Sequence, residues 1–240
     1  MDKRGIKIVL LILIVSAIIS FSPKVMKVDY FERGNLYFGY GNKYNLDIAR
    51  EYFKRALEEG EDHLYAKHQL ARIYFLEGDF DEAIRLIDEQ VERHGDNVIS
   101  SFYVHGLING YAGNFDKAEE SFLHYLSVKD RNWAAYNDLA WVYFSKGDFN
   151  KSEEYARLGL AIAPQNPWLL TTLGSALMNL NLKERAKRFF EEALSEAKSL
   201  TEEEWSRANP GNDSGIAGRA IENMILIIKD NLALVRSETF

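Results

Sequence analysis

Five histidines and no cysteine limit the chemistry open to this 240-residue chain. Without a thiol there is no disulfide framework, no iron–sulfur or cysteine–zinc site and no thiol nucleophile. His63 and His68 stand five residues apart, a turn of about 140° around a helix. A helical zinc pair needs the same face, at i and i+4. His94, His105 and His124 are isolated in sequence and read as surface or packing residues. Gly211-x3-Gly215-x2-Gly218 has the outline of a phosphate loop opening a helix, but no strand pattern precedes it and no Lys-Ser/Thr pair follows. It reads as a linker in which Asp213 or Ser214 caps the next helix. The expectation is therefore no catalytic set, no cofactor and no metal. With 36 acidic against 29 basic side chains the net charge is −7, so a nucleic-acid partner is not expected either.

What remains is surface chemistry, and the elements that would position it repeat. The chain is 47% hydrophobic and 13% aromatic with 4 Pro, a globular and mainly helical composition. Leu70-Ala71-x2-Tyr74-x3-Gly78-Asp79-Phe80-x2-Ala83 returns as Leu139-Ala140-x2-Tyr143-x3-Gly147-Asp148-Phe149, with Ser152 in the last place. Between them lie Gly106 and Gly113-Asn114-Phe115-x2-Ala118-x3-Phe122. A later copy carries Leu173-Gly174-x2-Leu177 and Ala186-x3-Phe190-x2-Ala193, with Asn181 in place of the turn glycine, and an earlier one carries Ala49-x3-Phe53-x2-Ala56. Successive landmarks stand 34 or 35 residues apart, which divides the chain into units 30-63, 64-98, 99-132, 133-166 and 167-200. Gly39, Gly41 and Asn45 make the turn of the first unit irregular, and Gln90 stands where a small residue is expected in the second.

These five in-phase copies resemble the tetratricopeptide repeat: large, Leu, small and aromatic residues on a first helix, Ala, aromatic and Ala on a second, and Pro164 at the close of the fourth unit. The resemblance implies an all-α, right-handed superhelical solenoid of helix-turn-helix repeats, first helices lining a concave face and second helices facing outward. The residues alone argue for stacking. Each buried apolar side chain contributes about 1.5 to 3 kcal/mol against ordering costs of about 1 to 2 kcal/mol per residue, so one hairpin cannot cover its own apolar face.

Removing the packing positions from the first helices leaves a second stripe. It comprises Tyr65, His68, Arg72 and Phe75; Tyr103, Leu107 and Tyr111; Asn137, Trp141 and Phe144; and Trp168, Thr171, Ser175 and Met178. An aromatic groove with scattered donors suits a protein or peptide partner, because rings supply contact area at low entropic cost and donors set register. The groove is expected to be free for such a guest. Some members of the family clamp the carboxylate end of chaperone peptides with Lys and Asn pairs. Here those places hold His68 with Arg72 and Tyr103 with Leu107, which disfavours that ligand.

Both ends break the period. Lys3, Arg4 and Lys7 form a charged region at 1-7, followed by an apolar segment at 8-22 and a linker at 23-29. Ile8 to Phe21 spans about 20 Å as a helix, short of a ~30 Å hydrocarbon layer, so either a cleaved signal peptide or a membrane anchor fits. Pro23 after Ser20-Phe21-Ser22 would hinder cleavage and favours the anchor, with the repeats on the extracytoplasmic side by the charge rule. Residues 201-240 hold a capping box at Thr201-x2-Glu204, a turn-rich loop at Asn209 to Gly215, and a long helix from Ile216 to Val235 expected to cap the solenoid. The functional expectation is a non-enzymatic, membrane-tethered scaffold that helps assemble a membrane or envelope complex. The second expectation is a module that forms a homo-oligomer through its groove or its last helix.

Overall fold

A computed structural model of the chain describes residues 28–39, 43–60 and 63–237. The charged region and apolar segment assigned from sequence to 1-7 and 8-22 lie outside them. Among the described residues no helix is long and apolar enough to cross a membrane.

Ten helices pair in chain order into five hairpins: α1 (Tyr30–Tyr37) with α2 (Leu46–Glu59), α3 (Ala66–Glu77) with α4 (Phe80–His94), α5 (Ser100–Tyr111) with α6 (Phe115–Val128), α7 (Trp133–Ser145) with α8 (Phe149–Ile162), and α9 (Pro167–Asn179) with α10 (Lys183–Ser199). Each hairpin packs on the next, giving an all-α solenoid. The turn inside a hairpin needs a left-handed residue. Gly78, Gly113 and Gly147 supply it at φ 81°, 83° and 80°, and Asn181 does so at φ 60°, as the non-glycine residue that tolerates this region best. Second helices start on side-chain caps: Asp79 accepts from the Glu82 amide and Asp148 from the Lys151 amide.

Volume matching joins the two helices of a unit. Where the second helix carries Phe, the facing first-helix residue is Gly: a Cβ added to Gly34, Gly106 or Gly174 would lie 2.5, 2.9 or 2.7 Å from Phe53, Phe122 or Phe190. In the other two units the equivalent pairs are Ala71 with Ile87 and Ala140 with Ala156, all fully buried. In Ala71–Ile87 the extra methyl on one side is matched by a smaller side chain on the other, as close packing demands, whereas Ala140–Ala156 has no ring of its own and Tyr155 packs against that core. The irregular Gln90 is buried and donates to the Leu64 carbonyl at 2.8 Å, tying its helix to the head of its own unit.

The tail divides its labour. Helix α12 (Ala217–Ser237) seals the open end, burying Ile228, Leu232 and Val235 with Leu177, Phe190 and Ala193. The preceding α11 (Glu202–Ala208), opened by the Thr201–Glu204 capping box, packs Trp205 against Trp168, Ala217 and Ile221. From there residues 209–213 run back across the mouth of the solenoid to its first unit.

Candidate functional site: a strapped concave groove

The first helices of consecutive units α3, α5, α7 and α9 touch one another and form the concave floor. At one edge rings follow each other across three units. Phe75 meets Phe80 and Tyr111 edge-on, at centroid distances of 6.0 and 5.2 Å, and Tyr111 meets Trp141 at 5.3 Å. Phe115 closes the row against Trp141 at 6.2 Å. Phe144 lies further on, edge-on to Phe149. At the opposite edge Trp133 and Trp168 stack at 5.8 Å. Tyr111 is 61% exposed, so this row presents ring surface to solvent.

One end of the hollow is not free, where the repeats led to the expectation of an open groove. The Arg72 guanidinium donates to the Pro210 carbonyl at 2.6 Å and to Gln69 at 2.8 Å, and lies over the Phe38 ring at 4.8 Å. The Tyr44 hydroxyl donates to the Gly211 carbonyl at 3.2 Å. Gly211 adopts φ 92°, and a Cβ there would come within 2.2 Å of Arg72. Gly39 stands opposite, a Cβ on it falling 3.1 Å from the Gly211 Cα. Glycine is thus required on both sides of the contact. Burial, with the Asp213 charge behind it, pushes the Tyr44 hydroxyl above its usual range, so it stays a donor. The strap is a peptide held through its backbone carbonyls.

Other assigned residues do different work. His68 is buried rather than lining the wall, its Nδ1 3.1 Å from the Ser101 hydroxyl, because the next unit rotates Ser101 over it. Burial and the Arg72 charge hold it neutral, its pKa down at about 3. Thr171 donates to the Pro167 carbonyl and Ser175 to the Thr171 carbonyl, within their own helix. Met178 packs with the core beneath α12. Tyr65 is exposed beside Phe31, and Leu107 is half-buried against the third-unit core.

The stripe reading passed over Asp138, one residue beyond Asn137 at the centre of the floor. Asp138 accepts from the Tyr103 hydroxyl at 2.7 Å and from the Asn137 amide at 3.5 Å, while Asn137 accepts from Thr172 at 2.9 Å. Burial pushes its carboxyl up to about 6 against these two donors. A signal was present: Asp138 is the one charged residue on α5, α7 and α9. A Ser–His–Asp trio also occurs, His105 Nδ1 lying 2.6 Å from the Ser121 hydroxyl and Nε2 2.8 Å from Asp88. Ser121 is only 4% exposed, so its hydroxyl is sealed from any substrate and the trio ties α4, α5 and α6 together. Among the described residues no group of three His, Asp or Glu side chains is placed to hold a metal ion.

Tetratricopeptide-repeat models match residues 44–101, 103–167 and 169–199. The chain carries tetratricopeptide repeats. Solved structures of MamA proteins share the fold. One overlaps 70% of this chain and 90% of its own at a TM-score of 0.60 and 21% identity. Another, from Desulfovibrio magneticus RS-1, overlaps 71% and 94% at 0.63 and 15%. A curated relative, the BBSome complex member BBS4 of Bos taurus, is 30% identical over 118 residues, 49% of this chain and 22% of the bovine protein. The chain thus spans about a fifth of that relative's length. Its repeats mark it as a protein-interaction scaffold of a kind that is typically non-enzymatic.

Proposed function

We propose that this tetratricopeptide-repeat protein is a non-enzymatic scaffold that binds a protein or peptide in its concave groove, tethered to a membrane by residues 8-22 and displaying its repeats on the extracytoplasmic side, where it helps assemble a membrane or envelope complex. One observation carries the binding half of this reading: the groove already holds a peptide, its own strap, by backbone carbonyls on Arg72 and Tyr44. A surface that grips main chain at one end and offers a ring row beyond it has what peptide recognition needs. The tether rests on the composition of residues 8-22. The assembly role is supported by the name of the bovine relative, a complex member.

The test is affinity capture from native membranes with the full chain and with Trp141→Ala plus Phe144→Ala, helix content being checked by circular dichroism. Loss of a co-purifying protein from the folded double variant supports groove binding. Equal recovery overturns it.

Self-association is the second reading, favoured by α12, whose outer side leaves Leu226, Ile227 and Leu234 at 57%, 56% and 52% exposure. Sedimentation equilibrium over a concentration series tests it with Leu226→Glu plus Leu234→Glu. A wild type that associates while the variant stays monomeric supports it, and a wild type monomeric throughout rejects it.

A further inference from the structure

The middle of the groove holds a feature that the strap does not use. Two cavities flank Asp138, of about 140 and about 80 Å3. Rings bound both: Tyr111 and Trp141 on one side, Trp133 and Trp168 on the other. Ala208, the last residue of α11, and Asn209 at the start of the strap wall only the smaller cavity. The groups that act on the Asp138 charge are the Tyr103 hydroxyl and the Asn137 amide; both donate hydrogen bonds and neither carries a charge. A half-buried carboxylate met only by neutral donors retains part of its desolvation cost. The negative faces of the neighbouring rings do nothing to offset it.

Each of these properties favours one ligand chemistry. A cation arriving beside Asp138 supplies the missing counter-charge where the dielectric is low. The same rings that are indifferent to an anion attract it through their faces. Among cationic side chains a guanidinium fits best: it is planar, stacks on aromatic rings, is weakly hydrated and gives two parallel donors to one carboxylate. The larger cavity takes such a head with its adjoining methylenes and is too small for a folded element.

We propose that Asp138, walled by Tyr111 and Trp141, is an arginine subsite, so that the peptide bound in the groove carries an arginine side chain seated in the larger cavity. This rests on the groove-binding reading and adds to it the chemistry of the guest. The basic side chains of its own unit are engaged elsewhere, Lys146 with Asp116 and Glu119, Arg157 with Glu153, and Lys151 over the Tyr143 ring. The subsite is therefore filled from outside its own unit.

The experiment titrates the isotopically labelled full chain, in detergent, with an acetylated pentaalanine amide whose central residue is arginine, and with its citrulline and lysine counterparts, reading indole resonances by NMR. The expected result is that the arginine peptide shifts the Trp141 indole signal and binds about tenfold or more tighter than the citrulline peptide, the weight of one charge-assisted contact. Asp138→Asn, which keeps the size and the Tyr103 bond, removes that difference, and the distant exposed Glu192→Gln leaves it intact. Gly211→Ala, which unseats the strap, preserves or strengthens binding. Equal affinity of arginine and citrulline peptides, or equal arginine binding by wild type and Asp138→Asn, overturns the subsite. If both peptides still shift Trp141, the groove reading survives that result. Absence of any shift in both wild type and Gly211→Ala overturns the subsite, while the membrane-capture comparison judges the groove separately. A lysine peptide that outcompetes arginine overturns the choice of guanidinium.

Discussion

Arg72 and Asp138 are both charged side chains set on first helices of the same groove, two units apart, yet their surroundings are opposite. Arg72 has its charge met on every side by its own chain: the Pro210 carbonyl, the Gln69 side chain and the Phe38 ring. Asp138 has hydrogen bonds from neutral groups and a cavity on either flank. One end of the groove is closed by an intramolecular peptide and the middle is left with chemistry to spare. A concave repeat surface is therefore not a uniform trough: where the chain supplies its own ligand a charge is structural, and where it does not a charge remains available to a partner.

The largest effect should come from breaking the occupied end. Arg72→Ala removes a charge-assisted bond, worth about 1.5 to 3 kcal/mol, and a cation–π contact, worth about 0.5 to 1 kcal/mol. The expected loss is about 2 to 4 kcal/mol in a denaturant titration, with proteolytic nicking appearing at residues 209–213. Gly211→Ala should act in the same direction but more weakly, since a left-handed alanine costs about 1 to 2 kcal/mol and the Arg72 side chain can swing aside. An unchanged midpoint and an intact loop in Arg72→Ala would show that the strap is held elsewhere.

Next in size is His68, one turn before Arg72 on α3. Its folded pKa, about 3, is below the unfolded value of 6.5, so the unfolded chain takes the proton first and this histidine costs stability as pH falls through 6.5. By pH 5 the penalty reaches about 2 kcal/mol. His68→Gln, which can still bond Ser101, should match or trail the wild type at pH 8 and gain on it by that amount at pH 5. Parallel stability curves for the two proteins between pH 8 and pH 5 would contradict the assignment.

How far these features can be read from sequence depends on the distance over which they act. The hairpin turns were legible because Gly78, Gly113, Gly147 and Asn181 recur at one period and each meets a purely local demand for positive φ. The ring row from Phe75 through Tyr111 to Trp141 was legible for the same reason, as one stripe repeated in three units. The strap was not, because Arg72 and Pro210 are 138 residues apart and Asn209 to Gly215 has the composition of any exposed linker. His68 was assigned to the wall because helical spacing fixes which way a side chain leaves its own helix. What the next unit lays over it, here Ser101, depends on the rotation between units. Asp138 escaped for a subtler reason, lying one residue beyond a stripe position. A lone charge among the apolar first helices α5, α7 and α9 was the available sign.

That lone charge gives the smallest of the three effects and the cleanest contrast with His68. The folded pKa of Asp138, about 6, stands above its ordinary value of 3.8. The native state therefore holds the proton more tightly than the unfolded chain, and the residue costs stability as pH rises from about 4 to about 6, with no further change above. A rise from 3.8 to about 6 is worth up to about 3 kcal/mol, and an effective dielectric well above that of dry protein tempers it to about 1 to 2 kcal/mol. Asp138→Asn should consequently be more stable than wild type by that margin at pH 8 and equal to it at pH 4, the reverse of the pH dependence of His68→Gln. Adding the arginine peptide at pH 8 should narrow the gap, because the guest stabilises only the protein that carries the carboxylate. If the gap is the same at pH 4 and pH 8, the advantage of asparagine is one of packing and Asp138 is a satisfied core residue, no more available to a partner than Arg72.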